Sequence, residues 1–177
     1  MSTAAVWSPS SPKSLLFFWF LGLSFAAVLV VFSSPAIDYR LVMFGAILPV
    51  AEGIAGGPWV LHTLVAPVVV MGVVMLATQG RRLVRRQWLG VPIGLFLHLV
   101  LDGSWADADV FWWPFLGVSD VLGGSAVNEF SRSLPVVVLM ELVGLAALVF
   151  LVERLDLRGE GRDLFRRTGQ ILRSRME

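Results

Sequence analysis

The segment FLHLVLDGSW, residues 96–105, places two side chains that can bind metal, His98 and Asp102, in an otherwise apolar stretch. Residues four apart lie on the same face of an α-helix, with Cβ atoms about 5–6 Å apart, so a single cation could bind both. Zinc hydrolases use paired ligands one helical turn apart in this way. The spacing also suits a simple hydrogen bond in which the carboxylate orients the imidazole ring, so the pair alone leaves both interpretations open.

The composition indicates a membrane protein rather than a soluble helical domain. Hydrophobic residues make up 56% of the 177 residues, and the mean hydropathy is +0.79. Charged residues account for only 15% of the chain and fall between long apolar runs. The absence of cysteine excludes disulfides, thiolate nucleophiles and cysteine-based zinc sites. A metal site in this chain must therefore use histidine and carboxylates.

The apolar runs predict an all-α, polytopic membrane bundle with four spans and one half-helix. The predicted spans are residues 15–32, 59–78, 89–101 (extended back to about residue 83) and 134–152. The run 41–51 is too short to cross a bilayer and contains Pro49, so it is predicted to form a half-helix or re-entrant segment. The first run is predicted to be retained, because it is longer than the roughly 7–15 apolar residues of a secretory signal.

The arginines predict the orientation of the chain in the plasma (inner) membrane. Residues 79–88 contain four arginines, and the tail from residue 153 contains seven. Because cytoplasmic loops carry the excess of positive charge, this loop, the tail and the N-terminus are predicted to be cytoplasmic. The stretches 34–58 and 102–133 are then predicted to lie together on the opposite, extracytoplasmic side.

Two domains are predicted: a transmembrane helical domain, residues 1–152, and a basic cytoplasmic tail, residues 153–177. Apolar residues interspersed among the arginines of the tail suit an amphipathic helix on anionic lipid, and a solvated tail is the equal alternative. No nucleic-acid partner is predicted, because the orientation rule already explains the arginines. The oligomeric state stays open.

With this orientation, the isolated polar residues fall at a similar depth. His62 lies near the outer end of its predicted span, His98 and Asp102 lie at the outer end of the next, and Glu52 follows the half-helix. Neutral imidazoles and carboxylates together suit a divalent transition metal, zinc first and manganese or iron as alternatives. The sequence therefore predicts a metal site formed by His62, His98, Asp102 and Glu52. Asp109 and Glu141 are possible additional ligands, with solvated loop charge and interhelical hydrogen bonding as their respective alternatives.

The order of these features resembles a known family. FGAILPVAEGIAGGPWVLHT, FLHLVLDGSW and FWWPF, within residues 42–116, look like the YdjM-like family of membrane-bound, metal-dependent hydrolases, which is distantly similar to zinc-dependent phospholipase C. The resemblance implies an all-helical site that holds metal for phosphoester hydrolysis, with His62, His98 and Asp102 as retained ligands and Glu52 in place of a second acid. Val50 and Gly53 replace an aspartate and a histidine of the family pattern.

Three function classes follow from the sequence, of which the third is a lipid-binding scaffold whose basic tail supplies the membrane or partner contact. The first is a hydrolase acting on a phosphoester of a lipid or lipid-linked substrate at the extracytoplasmic face, with metal-activated water and Glu52 as the proton acceptor. The alternative is a non-enzymatic membrane protein, such as a partner subunit or transporter component. In that case the same polar residues form a structural or proton-relay network.

Overall fold

The protein is described by a computed structural model that covers residues 16–55, 60–106, 111–115, 133–159 and 161–171. Over these residues the secondary structure is helical, with no strand, which confirms the all-α prediction. The helices are α1 (Phe18–Phe32), α2 (Tyr39–Ala55), α3 (Val65–Ala77), α4 (Arg82–Trp88), α5 (Gly90–Asp102), α6 (Leu134–Arg154) and α7 (Gly161–Thr168). Short 3-10 turns form at Val60–His62 and Ser104–Ala106.

Five of these helices, α1, α2, α3, α5 and α6, run between two ends of a bundle, with α1, α3 and α6 in one direction and α2 and α5 in the opposite direction. At the site end, where α2 and α5 finish, the indole Nε1 of Trp19 donates to the carbonyl of Leu101 at 3.2 Å. At the tail end, where α7 packs, the amide of Tyr39 donates to the carbonyl of Gly169 at 2.9 Å. α1 therefore begins at the site end and finishes at the tail end, and α2 returns to the site end.

The prediction of a half-helix is wrong. α2 is a continuous helix of 17 residues with Pro49 inside it, about 25 Å long at 1.5 Å per residue. The predicted segment, 41–51, was shorter because it included only the apolar run. The polar first turn and the residues after Glu52 also belong to the helix.

Because α2 runs from one end of the bundle to the other, α1 has the opposite direction from the one that the sequence predicted. The sequence placed residues 34–58 together on one side and the N-terminus on the side of the tail. In the structure, Tyr39 lies beside α7, whereas Glu52 lies at the opposite end of the same helix. That part of the predicted topology is therefore wrong for the described residues, since α2 runs from one end of the bundle to the other and so brings the start of α1 to the site end.

Glycines let the helices approach until their backbones touch. A Cβ at Gly94 of α5 would collide with the carbonyl of Val42 in α2, and one at Gly45 of α2 would collide with the carbonyl of Val91. Gly22 of α1 and Gly144 of α6 are in equally close contact. Small residues at helix crossings are typical of membrane bundles, where close backbone approach provides much of the packing energy.

The outward faces of the bundle are apolar. On α6, large hydrophobic side chains are exposed along the helix; Leu139 is 62% exposed and Phe150 is 59% exposed. α6 is long and apolar enough to cross a membrane, the one helix among the described residues that meets this criterion, and α1 and α3 are shorter apolar helices. An extensive exposed apolar face is unfavourable in water and marks a surface that contacts lipid or another protein.

The basic tail packs on the bundle and shares its core. Leu155, Leu157 and Ile171 are buried in one hydrophobic cluster with Phe25 and Tyr39. The apolar residues of the tail therefore face the protein, and the arginines of α7 point outward. In its packing, this part of the chain is continuous with the helical bundle.

Glu141 binds the start of α1. Its carboxylate oxygens accept hydrogen bonds from the backbone amides of Phe18 and Trp19 at 3.1 and 3.3 Å. These amides belong to the first turn of α1, which has no intrahelical acceptor for them, and a negative charge is favoured at this positive end of the helix dipole. The structure thus gives Glu141 the interhelical hydrogen bonding that the sequence had offered as one of two alternatives.

Removal of this carboxylate is expected to destabilise the bundle without affecting the site. Glu141→Ala should lower the free energy of unfolding by about 0.5–2 kcal/mol, as loss of a helix N-cap does, and Glu141→Gln should lower it less because one acceptor oxygen remains. Thermal unfolding followed by circular dichroism in detergent measures the change. A lower metal affinity in a folded Glu141→Gln protein would instead indicate that Glu141 is an additional metal ligand.

Candidate metal centre

His98 is held rigidly inside the bundle. The ring lies one turn before the end of α5, is 2% exposed and stacks on Phe20 of α1 with ring centroids 3.9 Å apart. Its Nδ1 lies 2.7 Å from the carbonyl oxygen of Ala46 in α2. A carbonyl oxygen can only accept a hydrogen bond, so Nδ1 carries the proton, and in the neutral ring the lone pair available to a metal is on Nε2.

The acceptor for His98 is a backbone carbonyl inside α2. Pro49 has no amide proton, so the carbonyl of Gly45, four residues before it, lacks its usual intrahelical donor. The neighbouring carbonyl, that of Ala46, lies 2.7 Å from Nδ1 of His98. A carbonyl oxygen has two lone pairs, so it can accept this bond in addition to an intrahelical one.

Glu52 orients the second histidine. His62 closes the 3-10 turn before α3 and is 9% exposed, and its Nδ1 lies 3.1 Å from Oε2 of Glu52. Both oxygens of the same carboxylate accept a hydrogen bond from the backbone amide of Leu61, at 3.0 and 3.1 Å. An acceptor at Nδ1 leaves Nε2 of His62 as the nitrogen that could bind a metal. Carboxylates hold metal-binding histidines in this way in many metal sites.

Asp102 completes the group. It is the last residue of α5, followed by Gly103 in the left-handed conformation (φ 83°), and it accepts a hydrogen bond of 2.9 Å from the hydroxyl of Ser104. One potential ligand atom from each of His62, His98 and Asp102 lies within 4.8 Å of the others. The rings of the two histidines are perpendicular, with centroids 5.3 Å apart. The predicted convergence of these three residues is confirmed.

The donor set fits a divalent transition metal. Two imidazoles and one carboxylate are the ligands that zinc, manganese and iron accept, and three protein ligands leave a position open for water or substrate. Two ligands each about 2.1 Å from one ion are at most about 4.2 Å apart, so small side-chain rotations would close this group around a metal.

The other predicted site residues lie in different positions. Glu52 lies behind His62 rather than in the three-ligand group, Glu141 lies at the crossing of α1 and α6, and Asp109 lies outside the described residues. The roles of Glu52 as a direct ligand and as a proton acceptor stay predictions. No pattern in the sequence indicates the Ala46 carbonyl or Phe20 as partners of His98, because both reach His98 through contacts between helices that are far apart in the chain.

No protein-family model, no curated protein and no solved structure matches this chain. The resemblance to membrane-bound, metal-dependent hydrolases therefore rests on the residues themselves.

Replacement of Glu52 is expected to weaken metal binding in a graded manner. Loss of a carboxylate that orients a ligating histidine typically costs about 10–100-fold in metal affinity. Glu52→Gln, which retains an acceptor oxygen but no charge, should bind zinc more weakly than wild type, and Glu52→Ala should bind it more weakly still. Competition with a chromogenic chelator measures the dissociation constants. Equal affinities for the three proteins would contradict the contact between Glu52 and His62.

Proposed function

We propose that this protein is a membrane-embedded, metal-dependent hydrolase that cleaves a phosphoester of a lipid or lipid-linked substrate. One observation carries the proposal: His62, His98 and Asp102, from two separate parts of the chain, converge within 4.8 Å at one end of an apolar bundle. Buried polar groups in such surroundings are costly unless they are paired or bind a ligand, and in membrane proteins they mark functional sites.

The residues of the chain have distinct tasks in this proposal. His62 and His98 would hold the metal through their Nε2 atoms, each ring being oriented by an acceptor at Nδ1, and Asp102 would add a carboxylate oxygen. A zinc or manganese ion held there would supply Lewis-acid chemistry at a phosphoryl oxygen and an activated water. Phe20 covers one face of His98 and excludes water from that side of the ring. Glu52 keeps His62 in the orientation that ligation requires.

The surroundings of the site support a lipid substrate. The segment 111–115 is tied to the start of α3 by a hydrogen bond from the amide of Leu64 to the carbonyl of Phe111 at 3.0 Å. Two of its aromatic side chains are exposed, Trp112 at 47% and Phe115 at 79%, and Trp105, three residues after Asp102, is 62% exposed. Aromatic residues of this kind are enriched where membrane meets water, and a site at that depth is accessible to a lipid headgroup.

The charges support a site on the extracytoplasmic side of a plasma (inner) membrane. All described arginines except Arg40 belong to the loop around α4 or to the region from residue 154, and both regions lie at the end of the bundle opposite the metal group. Arg40 lies at that end as well, paired with Asp38. By the positive-inside rule, the arginine-rich end is cytoplasmic in this proposal, and several helices cross the membrane.

A hydrolysis assay tests the enzymatic part of the proposal. Purified protein in detergent, stripped with a chelator and reloaded with zinc or manganese, is offered long-chain nitrophenyl phosphomonoester and phosphodiester substrates. We expect metal-dependent release of nitrophenol that falls at least 100-fold in Asp102→Asn, because metal stabilisation of the transition state is worth several kcal/mol. If wild type is no faster than Asp102→Asn on either substrate although it binds metal, the hydrolase proposal fails.

The non-enzymatic alternative has one observation in its favour. The contacts of His62 with Glu52 and of His98 with Ala46 satisfy one nitrogen of each ring without any metal. A structural network of this kind predicts that the folded protein retains its stability after exhaustive treatment with a chelator. The metal proposal predicts a lower unfolding temperature after the same treatment, because a ligand that binds only the folded state stabilises it.

A further inference from the structure

A concave surface lies toward the tail end of the bundle, away from the candidate metal group. An apolar groove of about 470 Å³ opens between α3 and the junction of α4 with α5. Its lining includes Val69, Val73, Thr78, Trp88 and Val91. The volume is within the range of roughly 300–1,000 Å³ that small-molecule sites occupy.

The groove is built for a hydrocarbon chain rather than for a polar ligand. Val69 and Val73 are 54% and 59% exposed, so the groove opens to the outside of the bundle. The one hydroxyl in its wall, that of Thr78, donates back to the carbonyl of Val74 at 2.6 Å. With that donor used inside the helix, the lining offers apolar contacts.

Four arginines lie in or directly before α4, the helix that contributes Trp88 to this groove. Arg85 lies one helical turn before Trp88, about 60° around the helix from the groove-lining indole, and Arg81 is the residue that directly precedes the helix. Arg82 and Arg86 lie on the other face, at about 120° and 160°. Among the residues that the structure describes, no acidic side chain forms an ion pair with any of the four. An anionic group therefore has available arginine partners beside an apolar groove.

We propose that this groove binds an anionic phospholipid, with an acyl chain between α3 and α5 and its phosphate on Arg81 and Arg85. Arginine suits phosphate because its guanidinium donates two parallel hydrogen bonds, and basic pockets between helices bind anionic headgroups. The site depends on the proposed membrane location but not on the metal group. Its ligand is a bound bilayer lipid, not the substrate of the distant metal centre.

Quenching of Trp88 fluorescence by brominated lipid tests the site. Wild type and Trp88→Phe are reconstituted in phosphatidylcholine vesicles that contain a minor fraction of brominated phosphatidylglycerol or of brominated phosphatidylcholine. The difference between the two proteins isolates Trp88. We expect stronger quenching of Trp88 by the anionic lipid. In Arg81→Gln/Arg85→Gln the preference should fall by about 30-fold, because each basic residue near an anionic surface contributes about fivefold.

The matched control is Arg82→Gln/Arg86→Gln, which removes the same charge from the other face of the same short helix. This protein should keep most of the preference for phosphatidylglycerol. Equal quenching of wild type by both lipids overturns the site, as does the absence of any Trp88 component. An equal loss of preference in the two double variants also overturns it, because it would show that the charge of α4 attracts anionic lipid without a defined position. Circular dichroism confirms that each variant is folded.

Discussion

His98→Ala is expected to abolish metal binding in a protein that still folds. The substitution removes a ligand, so zinc affinity should fall by more than the roughly 10–100-fold that loss of an orienting partner costs. It also leaves a cavity beside Phe20 and frees the carbonyl of Ala46, so we expect a stability loss of about 2–4 kcal/mol. Zinc affinity is measured by competition with a chelator, and stability by thermal unfolding of the metal-free protein.

Leu95→Ala provides the matched control. Leu95 lies in the same helix, one turn before His98, and is completely buried. Its truncation should cost about 2–5 kcal/mol of stability through the cavity alone, while all three ligands remain. Metal affinity should therefore separate the two variants even where their unfolding temperatures are similar. If both lost metal equally, His98 would affect binding only through the packing of α5.

Gly94→Ala is expected to disrupt the contact that positions the site. The added methyl group would meet the carbonyl of Val42 and the amide of Ala46, both backbone atoms that no side-chain rotation can move. α5 must shift away from α2, and His98 lies one turn beyond this contact. We expect the free energy of unfolding to fall by at least about 3 kcal/mol, which is the upper end of the usual range for overpacking substitutions. Metal affinity should fall as well.

The same substitution at Gly72 in α3 should raise the free energy of unfolding rather than lower it. Gly72 also lies inside a helix, but a Cβ there would meet nothing within 4 Å. Replacement of a helical glycine by alanine in open space stabilises by about 0.5–1 kcal/mol, because alanine loses less backbone entropy on folding. Thermal unfolding of both proteins in one detergent gives the comparison. Similar destabilisation at both positions would contradict the close crossing of α2 and α5.

The sequence predicted which residues converge better than it predicted their surroundings. The spacing of His98 and Asp102 depends only on helical geometry, and the structure confirms that both lie on α5 with His62 nearby. Glu52 was identified as part of the site from its position alone. The structure adds that it binds Nδ1 of His62, a contact that depends on how the chain turns back after α2. Local periodicity carries no information about such a turn.

The topology was harder to predict because the length of α2 was underestimated from the sequence. Hydropathy gives the length of an apolar run, whereas a helix also includes polar residues at its ends, as Tyr39 and Arg40 show at the start of α2. An error in one helix changes the direction of the helices before it. The role of Glu141 was left undecided for a related reason. Its partners are backbone amides of α1, and no side-chain pattern in the sequence indicates them.

The metal content of the wild-type protein tests the central claim most directly. Full-length protein is purified in detergent without chelator, dialysed against zinc and then against metal-free buffer, and analysed by inductively coupled plasma mass spectrometry. The arrangement of His62, His98 and Asp102 predicts about one transition-metal ion per folded chain. A folded protein that retains no stoichiometric metal after this treatment, or after the same treatment with manganese or iron, would contradict it.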